Sequence, residues 1–376
     1  MKIKCTILSL FIAAGLPVLG QTLSDQQATS ETVNLYSNLS RIPGKGYLIG
    51  HQDALAYGAK WKYVAGKSDI KDVTGDYPAV YGWELGGIEN GSALNLDSVP
   101  FAKMRTFIME GYKRGGVITI SWHGNNPMTG KTAWDPASGT VAAILPGQPK
   151  HEVFVKQLDK VADFLASLKG EKGEAIPILY RPFHELTGEW FWWGTKGTKP
   201  EEFKALFRFT VDYLRNKKHL HNLIIGYNTS NGLQTKDDFL ERYPGDKFVD
   251  MVSFDAYQRG STGLDNSFNI KLNQDLSIIE QVAKERRKIA AVGELGFNNI
   301  PYAEWFTHAI QPAFKKHQFA YVLFWRNAGY KSKENETEYY TPYPGHPAAT
   351  DFLKYYNASE TLFQKEASEL KLYEKK

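Results

Sequence analysis

The sequence predicts an α/β protein folded as one (β/α)8 TIM barrel, and three observations lead there. Short apolar runs rich in β-branched and aromatic residues recur along the whole chain. Amphipathic stretches of helical period separate most of them, which is how a parallel sheet built from βα units reads. Polar and aromatic residues gather where the apolar runs end, and in such a barrel chemistry sits at the C-terminal ends of the strands.

In chain order the predicted strands are GYLIGHQ (46–52), PAVYGWELG (78–86), GGVITISWHG (115–124) and AIPILYRPFHE (175–185), then NLIIGYNTS (222–230), DMVSFDAYQ (250–258), KIAAVGELGF (288–297) and AYVLFWRN (320–327). Helices are expected over 98–114, 151–169, 200–217, 271–288 and 301–317. Residues 21–45 read as a lead-in helix, and 348–376 as closing helical segments. Two loops are long, 124–150 and the tyrosine-rich 327–347, and long loops over the catalytic face shape a groove. An open doubly wound sheet is the competing fold, but no G-x-G-x-x-G follows the first strand and no Walker loop occurs.

The 376 residues carry a net charge of only +4 and no basic tract longer than 285–288, so nucleic acid is not an expected partner. The N-terminus, MKIKCTILSLFIAAGLPVLG, has the form of a secretory signal peptide over residues 1–20, leaving 21–376 as one catalytic barrel. The single cysteine, Cys5, falls inside that segment, so a mature chain would hold no disulfide, thiol nucleophile or thiolate site. No later segment is long and apolar enough to anchor it in a bilayer. The expectation is an exported monomer, periplasmic or extracellular, without cofactor. Aromatic residues make up 14% of the chain, a content that suits a large core and also suits stacking against sugar rings.

The predicted strand ends collect His51, Gln52, Asp53, Trp83, Glu84, Trp122, His123, His184, Glu185, Asp255, Tyr257, Glu294, Trp325 and Arg326. His184–Glu185 begins like the zinc motif H-E-x-x-H, but Gly188 stands where the second histidine belongs. His51, His123 and His184 lie on different strands with no carboxylate spacing to link them, and no G-x-S-x-G is present. Paired carboxylates remain. Glu185 and Glu294 close strands 4 and 7 and should face each other across the barrel mouth. Two carboxyl groups flanking the bond are what glycoside hydrolysis requires, one to protonate the leaving oxygen and one to attack the anomeric carbon. Tyr257, on the neighbouring strand, can hydrogen-bond an ionised Glu294, and Gly293 and Gly296 would let a sugar ring approach it. Glu185 precedes Trp190, Phe191, Trp192 and Trp193, and partial desolvation there would raise its pKa as a general acid needs.

RPFHELTGEWFWWG together with VGELGF resembles glycoside hydrolase family 26, whose members include β-1,4-mannanases, and the likeness runs from about residue 50 to residue 330. The resemblance implies a retaining (β/α)8 glycosidase with Glu185 as acid/base and Glu294 as nucleophile. It implies that His184 meets the sugar 2-hydroxyl, that His123 contacts the sugar at the cleavage site, and that Trp190 binds on the leaving-group side. Tyr257 would orient the nucleophile, Trp325 would be the floor under the sugar being cleaved, and Arg326 would grip the next sugar. Phe191, Trp192 and Trp193 would form the wall behind Trp190. Arg181 reads equally as structural or electrostatic support, and Asp53 and Glu84 as substrate ligands or as members of buried ion pairs. The expected partner is a β-1,4-mannan, galactomannan or glucomannan, cut internally or with release of mannobiose. A mixed-linkage β-glucanase or β-1,3-xylanase of the same family is the near alternative, and a non-catalytic carbohydrate-binding barrel the remote one.

Overall fold

The computed structural model describes residues 23–332 and 335–376. The proposed signal peptide, with Cys5, lies outside the described residues. Eight parallel strands follow in order: β1 (Tyr47–Gln52), β2 (Val80–Glu84), β3 (Val117–Ser121), β4 (Ile178–Arg181), β5 (Leu223–Ser230), β6 (Met251–Gln258), β7 (Ile289–Phe297) and β8 (Tyr321–Phe324). Each pairs with its sequence neighbour, and β8 pairs back onto β1 through Leu48–Tyr321 to His51–Phe324, so the sheet closes. The (β/α)8 barrel predicted from periodicity is the observed fold, and every predicted strand falls within its expected window.

Two layers hold it. Leu48, Val80, Val117, Leu179, Ile224, Met251, Ile289 and Leu323 belong to one buried cluster with Leu35, Tyr36 and Leu39 of the helix Ser30–Leu39. The lead-in helix therefore packs its apolar stripe against the strand residues of the barrel. A second cluster joins the other strand faces to the outer helices, including Phe101–Lys113, His151–Ala166, Pro200–Asp212 and Asn266–Arg286. Each large side chain fully buried in these layers contributes about 1.5–3 kcal/mol by removal from water. Where 301–317 was expected to form one regular helix, wider turns over Trp305–Ile310 lead into Gln311–Phe314, with Pro312 in the first turn. A proline there lacks the backbone N–H that a continuous α-helix would use.

The two long loops take defined forms. Within 124–150 a short helix, Thr140–Ile144, forms, and within 327–347 Gly329–Lys331 pairs antiparallel with Glu336–Glu338. A further small hairpin pairs Tyr57–Gly58 with Trp61–Lys62 after β1.

Candidate active site

At the C-terminal ends of the strands lies a cleft of about 570 Å³, lined by residues that include His123, His184, Glu185, Trp190, Tyr257, Glu294 and Trp325. Seven of the eight residues that the resemblance assigns to catalysis or sugar contact thus line one space. The exception is Arg326, which borders a separate hollow of about 280 Å³ with Tyr57, Trp61 and Asp97. It forms ion pairs there with Asp97 and with Glu338 (3.3 Å), and its guanidinium lies 5.9 Å from the Trp325 ring centre.

Glu294 owes its aim to a break in the pleat. Between β6 and β7, Phe254 pairs with Val292 but Asp255 pairs with Glu294, so β7 carries one extra residue, Gly293. A bulge of this kind reverses the alternation of side chains and re-aims the next one. The two glycines beside Glu294 were expected to admit a sugar. Instead they admit protein groups. A Cβ on Gly293 would stand 2.6 Å from an Asp255 oxygen and 2.9 Å from Nη1 of Arg181, and one on Gly296 would collide with the Tyr340 ring.

Polar groups hold the Glu294 carboxylate from both sides. Arg181 donates from Nη2 to Oε1 at 2.8 Å, and the Tyr257 hydroxyl donates to Oε2 at 2.7 Å. Burial and then the nearby Glu294 charge push the Tyr257 phenol well above its usual range, so it keeps the proton it donates. From Nη1, Arg181 also reaches Asp255 and Asn228, each at 3.2 Å. Asp255 is buried, and burial followed by the Glu294 charge raises its pKa well above the ordinary value, with Arg181 opposing. Of the two readings of Arg181, the structure selects the electrostatic one. It is a fully buried cation between two acids, and a buried charge persists only when paired and hydrogen-bonded.

Glu185 reaches the same place from β4 by strained backbone. The strand ends at Arg181, and Phe183 and Glu185 then take positive φ values of 54° and 51°. Such left-handed turns in non-glycine residues cost energy and cluster where a site demands them. One oxygen each of Glu185, Asp255 and Glu294 lie within 4.8 Å of one another, with Arg181 as the cation bonded to two of the three. Burial, then repulsion from Glu294, raises the Glu185 pKa to about 7, although the Trp190 hydrogen bond and the charges of His123 and Arg259 oppose the rise. That bond runs from Trp190 Nε1 to Glu185 Oε2 at 2.6 Å.

The aromatic run divides by exposure. Trp190 is 42% exposed, whereas Phe191, Trp192 and Trp193 are buried. Trp192 donates to the Gly124 carbonyl and Trp193 to the His184 carbonyl, both at 2.9 Å, so the two indoles fasten the loops after β3 and β4. His123 and His184 meet with their Nε2 atoms 3.0 Å apart, while His51, buried and held by burial at a pKa of about 3, contacts Thr341. Glu84 bonds His123, and Asp53 bonds the Tyr57 hydroxyl, so both serve buried contacts within the protein.

Sequence reasoning left out Trp134. It is 51% exposed, lies in the long loop after β3, and stacks on His123 at 5.0 Å with the rings 10° from parallel. A lone tryptophan in a polar loop over the catalytic face was the available signal. Tyr340, from the tyrosine-rich loop 327–347, also lines the cleft, as do Ser230, Asn231 and Arg259, which nothing in their local sequence sets apart.

A closed parallel barrel with two glutamates facing each other in an aromatic cleft at its C-terminal mouth is the architecture of a barrel glycoside hydrolase. The chain belongs to glycosyl hydrolase family 26, whose family model matches residues 24–338. A mannan endo-1,4-β-mannosidase of Bifidobacterium adolescentis is 32% identical over 90% of the chain, and one of Thermothelomyces thermophilus is 28% identical over 75%. The chain spans 35% and 54% of the lengths of these two relatives. The structure of a family 26 β-mannanase from Bacteroides ovatus superposes with a TM-score of 0.87 at 41% identity, covering 92% of this chain and 98% of that one. No helix among the described residues is long and apolar enough to cross a membrane.

Proposed function

We propose that this chain is a retaining β-1,4-mannanase that hydrolyses mannan, galactomannan or glucomannan internally. The observation that carries the mechanism is the approach of one carboxylate oxygen of Glu185 to within 4.8 Å of one of Glu294, which favours the shorter of the two spacings that glycosidases use. Retaining glycosidases hold their carboxyl groups about 5–5.5 Å apart, whereas inverting enzymes leave about 6.5–9.5 Å for a water. Glu185, with a pKa near 7, is protonated for much of the time at neutral pH and can give its proton to the departing glycosidic oxygen. Glu294, oriented by Arg181 and Tyr257, attacks the anomeric carbon to form a glycosyl–enzyme ester. Water then cleaves that ester as Glu185, now a carboxylate, takes the proton.

His184 and His123 meet the sugar at the cleavage point over the Trp325 floor, and Trp190 binds the sugar on the leaving side. The mannanase names of the relatives support the substrate. The N-terminal segment supports export, and the domain reading remains one catalytic barrel over 21–376.

The test is a time course of products from purified protein given mannohexaose, with mixed-linkage glucan in parallel. Fragments of several sizes from mannohexaose are expected. Mannobiose alone from the earliest points would replace the internal mode with stepwise release, and activity on glucan alone would overturn the substrate. Glu185→Ala should lower turnover roughly 10²–10⁴-fold. Glu294→Ala should abolish any covalent intermediate, and a burst in that variant would refute the nucleophile assignment.

A further inference from the structure

From the wall of the cleft inward runs a buried line of three ionisable side chains, one at the end of β2 and one each just after β3 and β4. Glu84 is completely buried at the end of β2 and accepts four hydrogen bonds. Its Oε1 takes the backbone N–H groups of Gly86 and His123, at 2.5 and 2.7 Å. Its Oε2 takes Ser121 Oγ at 2.8 Å and Nδ1 of His123 at 2.9 Å. The line then continues through the 3.0 Å contact between the Nε2 atoms of His123 and His184. Nδ1 of His184 is buried and has no hydrogen-bond partner in the protein.

Two imidazole nitrogens at that distance share one proton, so one ring donates and the other accepts. A carboxylate accepts only, so Glu84 requires a proton on Nδ1 of His123 whichever way the pair is arranged. The choice then rests on Nε2 of His123. Glu84 is a buried carboxylate whose hydrogen-bond partners include one ionisable side chain, His123, and a buried charge calls for a counter-charge. A doubly protonated His123 supplies it, and His184 must then accept at Nε2 and carry its own proton on Nδ1.

We propose that Glu84, acting through His123, is a positioning residue that fixes His184 as a neutral ring protonated on its buried Nδ1, and so holds Nε2 of His184 as an acceptor from His123 rather than a donor toward the cleft. The charge balance of the surroundings agrees. Burial pulls the His123 pKa down, but the Glu84 charge and hydrogen bond outweigh it and the net shift is upward. For His184, burial and then the charges of His123 and Arg181 push the pKa well below its usual value. The groups that act on this pair, besides Glu84, are Arg181 and Glu185 from the β4 segment and Glu294 from β7.

The inference rests on the proposed reading for its substrate, but its decisive test needs none. Long-range proton–nitrogen correlation spectra of histidine-labelled full-length protein at pH 7 distinguish the tautomers, with His123→Asn and His184→Asn used for assignment. A neutral, Nδ1-protonated His184 beside a doubly protonated His123 is expected. A proton on Nε2 of His184 overturns the proposal, even if Glu84→Gln does not fold. In folded Glu84→Gln, His123 should lose its second proton and the His184 proton should move to Nε2. With mannohexaose, kcat/KM should fall roughly 10–100-fold, the scale on which outer partners that orient a functional histidine act elsewhere. Glu84→Asp, which keeps the charge, should retain the parent tautomer. Unchanged tautomers in Glu84→Gln would leave Glu84 a packing residue only. A parent protein inactive on mannohexaose would instead sink the substrate reading and leave the tautomer result standing.

Discussion

Replacing Trp190 by phenylalanine isolates one hydrogen bond at the acid. The substitution keeps a ring beside the cleft and removes the Nε1–H that donates to Glu185 Oε2 at 2.6 Å. That bond favours the ionised carboxyl, so its loss raises a pKa that burial and Glu294 already hold near 7. Trp190 is 42% exposed, so competing water holds the bond to the range of ordinary hydrogen bonds, below that of bonds to buried charged groups. Taking about 0.5–1.5 kcal/mol gives a rise of roughly 0.4–1 pH unit. The general acid must be protonated to act, so the alkaline limb of kcat/KM moves to higher pH by that amount. The assay is the pH dependence of kcat/KM on mannohexaose for Trp190→Phe and the parent protein. A mannoside whose leaving group needs no protonation serves as the control, and its alkaline limb should not move. A limb that stays in place or moves to lower pH on mannohexaose would refute the reasoning.

Arg181→Met should destabilise the fold by about 3–5 kcal/mol, because it strands Asp255 and Glu294 as buried acids, and urea unfolding at pH 7 measures this. An unchanged midpoint would remove Arg181 from the role of counter-charge. Tyr257→Phe should lower kcat/KM roughly 10–100-fold, since a hydrogen bond to a charged group contributes about 1.5–3 kcal/mol, and steady-state kinetics with an unaltered melting temperature would check it. Glu185→Gln should melt above the parent protein at pH 8 and together with it at pH 4. The folded pKa, about 7, exceeds the ordinary 4.5, so the stability Glu185 contributes is complete below pH 4.5 and fades as pH rises through 7. Scanning calorimetry at the two pH values is the test, and identical melting at pH 8 would contradict it.

The sequence by itself determined the barrel and the pair of glutamates. Apolar runs alternating with amphipathic stretches leave a chain few ways to bury both faces of its strands. Residues that end strands in such a barrel must gather at one mouth, which is why Glu185, Glu294, His123, His184, Tyr257 and Trp325 were legible by position. Trp190 could be told from its three aromatic neighbours in outline, because the chain is leaving the strand there.

What period and motif do not encode was decided by tertiary structure. The bulge at Gly293 depends on register against β6, and it turned two glycines from room for a sugar into room for Asp255 and Tyr340. Arg181 was ambiguous until β6 and β7 set acids on either side of it. Trp134 became part of the cleft when its loop folded back over His123. Arg326 went to a neighbouring hollow because Asp97 and Glu338, both far from it in sequence or on a folded hairpin, offered it charge. In each case the deciding partner arrives from another strand or loop, and hydrogen bonds and ion pairs of that range depend on distances that only the closed barrel sets.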